Sequence, residues 1–68
     1  MINEILAKLP EATRERLERE AHCDYDLSNC FGYICGVLAA TRDFGVINWD
    51  EYDTLRDHYF AVLRGNAR

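Results

Sequence analysis

Apolar residues recur at helical spacing from the start of the chain. The first such set comprises Ile2, Ile5, Leu6 and Leu9. Spacings of three and four positions place these side chains on one helical face, which predicts a short opening helix over residues 3–9. Pro10 cannot continue that helix, because the proline ring clashes with the carbonyl group four residues earlier. We therefore expect a break at Leu9 and a new helix that begins at Pro10.

Charged residues dominate the predicted second helix, which extends to about His22. Opposite charges lie four positions apart in three pairs, namely Arg14 with Glu18, Glu15 with Arg19, and Arg16 with Glu20. Each such pair stabilises a helix by about 0.3 kcal/mol. The only apolar stripe consists of Leu9, Thr13, Leu17 and Ala21. We expect this helix to be mostly solvated and to pack along that narrow seam.

The run from about Leu27 to Phe44 is apolar on nearly all sides. One side carries Leu27, Phe31, Ile34, Cys35 and Leu38, and another carries Cys30, Tyr33, Val37, Ala40 and Phe44. Asp26 or Ser28 can cap the start of a helix there, and Gly45 supplies the left-handed residue that often ends one. Such a helix is typical of the centre of a fold or of a contact with a second subunit.

The clearest local signature is the run Asn48-Trp49-Asp50-Glu51. The Asn48 side chain can accept the N–H of Glu51 while the Glu51 carboxylate accepts the N–H of Asn48, and this pattern starts a helix. The broad inner stripe of that helix is Trp49, Tyr52, Leu55, Tyr59, Phe60, Val62 and Leu63. We expect Gly65 to end it.

Together these elements predict an all-α fold, a small compact bundle of three main helices plus a short N-terminal helix. One domain over residues 1–68 accounts for the whole length. The sequence contains no Asn-Gly or Asp-Gly dipeptide, the usual hairpin turn, so strands are not expected. A core of this size contributes only about 3 to 5 kcal/mol to the free energy of unfolding, so we expect a homodimer to add further stability.

Composition narrows the range of partners. A hydrophobic share of 49% with 29% charged residues is ordinary for a globular domain. The net charge of −4 argues against nucleic acid as a partner, because nucleic-acid binding depends on clustered cations. The longest uncharged stretch, Leu27 to Thr41, is shorter than the roughly 20 apolar residues of a membrane span. We expect neither a nucleic-acid nor a membrane partner.

The amino terminus and the cysteines indicate the cellular compartment in which the protein is expected. Met1 to Leu9 has neither a basic segment nor a continuous apolar segment, so no export signal is expected. The chain has three cysteines, whereas small secreted domains normally use even sets for disulfides. These features favour a reducing cytoplasm.

Small residues follow one edge of the predicted central helix. Gly32, Gly36 and Ala40 lie four positions apart. Glycine within a helix costs about 1 kcal/mol relative to alanine, so two of them invite a packing explanation. We expect this edge to contact another helix closely, either within the chain or across a homodimer.

The stretch from Asp43 to Leu55 resembles the short C-terminal helical-hairpin (SHOCT-type) modules and several small prophage-encoded helical proteins. The shared pattern is a helix, a glycine, two aliphatic residues, a cap, and a glutamate followed by an aromatic residue. The resemblance implies a helical hairpin and a binding role, and it carries over no catalytic residues. The chain departs from the pattern at Trp49 and in its long upstream extension.

A metal site or a reactive thiol is the most specific chemical hypothesis that the sequence offers. The candidate ligands are His22, Cys23, Asp24, Asp26, Cys30 and Cys35, with His58 further along. No closely spaced C-x2-C pair is present, and Cys30 and Cys35 are about 140° apart around one helix. We favour the reading of Cys30 and Cys35 as buried hydrophobes, with no metal and no cofactor. A small zinc- or thiol-dependent protein that uses His22 and the cysteines stays open as the alternative.

For function the sequence favours a non-enzymatic protein–protein interaction module. A small phage or mobile-element regulator or inhibitor that binds a host protein fits the length and the acidity. Asp50, Asp53 and Asp57 share the outer side of the last helix and would face a partner with a basic surface. Tyr33 and Phe44 on the central helix are further contact candidates.

Overall fold

The computed structural model describes residues 2–22 and 26–66. Its four helices are α1 (Ile2–Ala7), α2 (Glu11–Ala21), α3 (Leu27–Asp43) and α4 (Trp49–Asn66). No strand occurs in these two ranges, so the predicted all-α class is confirmed. None of the four helices is long and apolar enough to cross a lipid bilayer.

The core lies where α3 packs against both α2 and α4, while α1 rests on α4. Residues from every helix contribute to it. The buried hydrophobic residues are Ile5, Leu9, Leu17, Ala21, Cys30, Ile34, Leu38, Ile47, Leu55, Tyr59 and Leu63. This arrangement confirms α3 as the central helix.

The junction between α1 and α2 confirms the break at Leu9 but moves Pro10 outside the helix. Pro10 has an extended backbone with φ −57° and ψ 147°, so Glu11 is the first helical residue. The Pro10 carbonyl accepts the N–H of Arg14 at 3.0 Å and thereby closes the first turn. Proline suits this position because it has no N–H to leave unpaired.

Packing of α2 follows the predicted seam, but the predicted ion pairs are not formed. Leu9, Leu17 and Ala21 are buried and Thr13 is partly buried. None of the three i,i+4 pairs along α2 is in ion-pair contact, and Glu18 instead approaches Nδ1 of His22 at 3.8 Å. Exposed pairs gain little in water, so packing along the seam holds α2 in place.

Both ends of α3 are closed by local hydrogen bonds. Of the two predicted caps Asp26 is the one used, and its side chain accepts the N–H of Ser28 at 3.0 Å. At the other end Gly45 has φ 81°, as predicted for a helix terminator. The N–H of Val46 reaches the carbonyl of Thr41 and the N–H of Gly45 reaches that of Arg42. These two bonds form a Schellman motif, which turns the chain toward α4.

The predicted capping box starts α4. Glu51 N–H donates to the Asn48 side chain at 2.8 Å, and Asn48 N–H donates to Glu51 Oε1 at 2.9 Å. Leu55, Tyr59 and Leu63 of the predicted stripe are buried. The expected end at Gly65 is wrong, because α4 continues through Gly65 to Asn66.

Trp49 was expected on the inner stripe of α4, and that prediction is wrong. Its side chain is 62% exposed. The guanidinium carbon of Arg42 lies 3.6 Å from the centroid of the indole ring. As the first residue of α4, Trp49 lies at the end of the bundle, where a cation–π contact with α3 replaces burial.

Candidate functional site

Three carboxylates on the outer side of α4 form a surface that we name the acidic face, defined as Asp50, Asp53 and Asp57. All three residues are exposed. Their spacings of three and four positions align them along the helix, away from the buried Leu55 and Tyr59. The acids expected to bind a partner therefore share one solvent-facing surface.

Arg56 partly offsets the charge of the acidic face. Its guanidinium nitrogens lie 3.6 Å from Asp53 Oδ1 and 3.5 Å from Asp57 Oδ1. Pairs at such distances in solvent are weak, so both carboxylates stay accessible to another cation. Asp50 makes no ion pair with any residue in the described ranges. The amino-terminal part of the face thus keeps its full negative charge.

A groove between α1 and α4 extends the acidic face, and we name it the α1–α4 groove. It encloses about 430 Å³ and is lined by Glu4, Ile5, Lys8, Asp50, Glu51 and Thr54. Ile5 supplies an apolar floor, and Glu4 and Asp50 supply carboxylates. Glu4, like Asp50, has no ion-pair partner among the described residues. Such a groove suits a lysine or arginine side chain, whose alkyl stem contacts apolar atoms while its charge meets a carboxylate.

Lys8 and Glu51 close the inner side of the α1–α4 groove. The Lys8 ammonium donates to Glu51 Oε2, while Glu51 Oε1 accepts the Asn48 N–H. The bond from Lys8, followed by the one from Asn48, holds the pKa of the Glu51 carboxyl below its ordinary value of 4.5. Glu51 is therefore fully charged and already occupied at neutral pH, which leaves Glu4 and Asp50 for a partner.

Sequence reasoning missed Glu4 and Lys8 as parts of this site. Glu4 lies on α1 and Lys8 directly follows it, more than forty positions before the residues they face on α4. No local pattern reports such a contact. A weak signal existed in the acid at position 4 and the base at position 8, which are four positions apart and so share one side of the predicted helix.

On the small-residue edge of α3, Gly32 and Gly36 have no neighbour from another described helix. Gly32, Gly36 and Ala40 are exposed. Apart from the adjoining backbone of α3 itself, no described heavy atom lies within 4 Å of a Cβ built on Gly32 or Gly36. A close contact within the described chain is therefore not formed at Gly32 and Gly36, because α2 and α4 pack against other sides of α3. Packing across a homodimer stays a prediction.

Tyr33 and Phe44 lie away from the acidic face. Tyr33 shares a helical side of α3 with Val37 and Ala40, and Phe44 directly follows α3 on that side. Tyr33 is 42% exposed and Phe44 is 87% exposed. Phe44 borders an apolar groove of about 440 Å³ between α2 and α3, which we name the α2–α3 groove. Its other lining residues include Thr13, Arg16, Val37, Ala40 and Val46. The five partner-binding candidates thus divide between two surfaces.

The candidate metal and thiol residues are not brought together in the part of the chain that the structure describes. Cys23 and Asp24 lie outside it. Within it, no group of three or more histidine, cysteine or acidic side chains could hold a metal ion. Cys30 is buried and Cys35 is partly buried. His22 is exposed, and its Nδ1 lies 2.8 Å from the carbonyl oxygen of Glu18, to which it donates.

Comparison of the chain with protein-family models, with curated protein sequences and with solved structures finds no match. The resemblance to SHOCT-type hairpins accordingly stays a prediction that rests on residues 43–55.

Proposed function

We propose that this chain is a non-enzymatic protein-interaction domain that binds a basic surface of another protein. The binding surface is the acidic face together with the α1–α4 groove. In this proposal the chain acts as a small regulator or inhibitor, of the kind that phages and other mobile elements encode, by occupying the surface of a host protein.

The observation that carries the proposal is the pair of unpartnered carboxylates, Glu4 and Asp50, beside the apolar floor of the α1–α4 groove. Most other described acids near this groove have a cation close by. Lys8 occupies Glu51, and Arg56 approaches Asp53 and Asp57. A lysine or arginine of a partner would supply the missing cation at Glu4 and Asp50.

Long-range electrostatics add to this local fit. The chain carries a net charge of −4. Three exposed carboxylates in a row concentrate part of that charge on one side of α4. A basic partner would be steered toward this side, and salt would slow the association by screening it.

A pair of charge variants tests the proposal. Asp53→Lys/Asp57→Lys reverses the acidic face, and Glu15→Lys/Glu18→Lys makes the same change in net charge on α2. Proteins captured from the native host by the wild-type chain are identified, and their association rates with all three chains are measured at several salt concentrations. We expect the α4 variant to bind about tenfold more slowly at low salt, while the α2 variant binds at nearly the wild-type rate.

Circular dichroism of both variants should show the helix content of the wild type, so that slower binding is not caused by unfolding. Equal slowing by the two variants would mean that net charge alone governs association. Binding of the α4 variant at the wild-type rate would mean that the acidic face serves solubility. Either result contradicts the proposal.

A further inference from the structure

The α2–α3 groove and its border have the features of a surface that pairs with itself. Val37, Ala40 and Val46 give the groove an apolar lining. Phe44 stands beside them with 87% of its surface exposed, the largest exposure among the described large hydrophobic residues. A projecting aromatic ring next to an apolar hollow is self-complementary, as a two-fold contact requires, because each copy then offers both parts.

The exposed side of α3 from Leu27 to Thr41 carries no charge, in contrast to the exposed sides of α2 and α4. No charged residue occurs between Leu27 and Thr41. The exposed residues of α3 in that range are Ser28, Asn29, Gly32, Tyr33, Gly36 and Ala40. Two copies of an acidic chain can meet here without opposing like charges, whereas contact through α4 would bring carboxylates together.

The two charges that flank the surface are complementary between copies. Arg16 lines the α2–α3 groove and makes no ion pair with a described residue. Asp43 directly precedes Phe44, and its side chain is 68% exposed although it contacts Arg42. A copy that inserts Phe44 into the groove therefore carries a carboxylate toward Arg16.

The α3 helix of a second copy can also approach the α3 backbone closely at Gly32 and Gly36. The space beyond Gly32 and Gly36 is open to at least 4 Å from a built Cβ. Helices that cross at small residues approach each other closely, which lengthens the contact on both sides of the crossing point. The glycines thus allow two α3 helices to lie against each other while Phe44 enters the groove of the other copy.

We propose that a second copy of this chain covers the exposed side of α3, with Phe44 of each copy inserted into the α2–α3 groove of the other and Arg16 facing Asp43 across the interface. This contact uses neither the acidic face nor the α1–α4 groove, so a dimer leaves both free for another protein. The proposal is independent of the proposed function, and either can fail alone.

Sedimentation equilibrium of the full chain over a wide concentration range tests the dimer. We expect a mass that rises from 7.9 kDa toward twice that value. Phe44→Glu should raise the dissociation constant of the dimer by about tenfold or more, because it places a charge in the apolar groove. Ala61→Glu makes the same charge change at an exposed site on α4 and should leave the mass curve unchanged.

A charge swap tests the orientation and guards against misfolded variants. Arg16→Asp alone and Asp43→Arg alone should each weaken the dimer, and the double variant should restore most of the association. A wild-type chain that stays monomeric at millimolar concentration would overturn the proposal. A dimer that tolerates Phe44→Glu, or that the double charge variant fails to restore, would overturn it too.

Discussion

The ammonium group of Lys8 and the carboxylate of Glu51 join the end of α1 to the first turn of α4 across 43 positions of sequence. The same carboxylate completes the capping box by accepting the N–H of Asn48. One side chain therefore starts α4 and fastens α1 to it. Because α1 has only six residues, it depends on such tertiary contacts rather than on its own helix propensity.

Replacing Glu51 by glutamine should make the free energy of unfolding depend less on pH between pH 7 and pH 3. The pKa of Glu51 is lowered in the folded chain, chiefly by Lys8, so its stabilising effect is complete above the ordinary value of 4.5. That effect is lost as the pH falls through the lower folded-state pKa. The difference in unfolding free energy between wild type and Glu51→Gln should therefore shrink from pH 7 to pH 3, as measured by urea unfolding. Glu15→Gln controls for the loss of one negative charge, and a difference that stays constant for Glu51→Gln would contradict the prediction.

Replacing Asn48 by alanine should lower the free energy of unfolding by about 1 kcal/mol. The substitution removes the acceptor that binds the N–H of Glu51 at 2.8 Å. Asn48→Ser retains an acceptor at the same position and should keep most of the stability. Urea midpoints compare the three chains. If alanine and serine behave alike, the side-chain cap does not contribute.

Two glycine-to-alanine substitutions should change stability in opposite directions. Gly45 has φ 81°, so Gly45→Ala forces an L residue into the left-handed region at a cost of about 1 kcal/mol. Gly65 lies within α4 with no described heavy atom within 4 Å of a built Cβ. Gly65→Ala should therefore stabilise the chain, by up to about 1 kcal/mol. Thermal unfolding measures both, and a shift in the same direction for the two variants would refute this account of the two glycines.

Tyr59 should make the chain sensitive to alkali. Burial of its ring and hydroxyl, followed by the nearby charge of Glu18, raises the pKa of Tyr59 above its ordinary value of 10.0. The unfolded chain then loses this proton at a lower pH than the folded chain, so stability falls as the pH rises above 10.0. Tyr59→Phe should lack this part of the fall, whereas Tyr33→Phe, which removes an exposed phenol, should follow the wild type. Urea unfolding across that pH range distinguishes them.

The parts of the fold that the sequence predicted correctly depend on residues close together in the chain. The Asn48–Glu51 capping box spans four residues, and the turn at Gly45 depends on its immediate neighbours. Two local predictions failed, namely the end of α4 at Gly65 and the ion pairs along α2. The other wrong predictions concern contacts between helices. Periodicity shows that Gly32 and Gly36 share a side of α3, but it does not show which side α2 and α4 cover. For the same reason the exposure of Trp49, the role of Glu4 and the apolar groove beside Phe44 emerge only when the helices are packed.

The stacking of Arg42 on Trp49 gives the protein a local optical signal. Trp49 is the single tryptophan of the chain, so its fluorescence reports on the junction between α3 and α4. Far-ultraviolet circular dichroism reports all the helices together. Coincident denaturation curves from the two signals would show that the junction opens only when the whole bundle unfolds. The molecule thus carries, without labelling, a built-in measure of its own folding cooperativity.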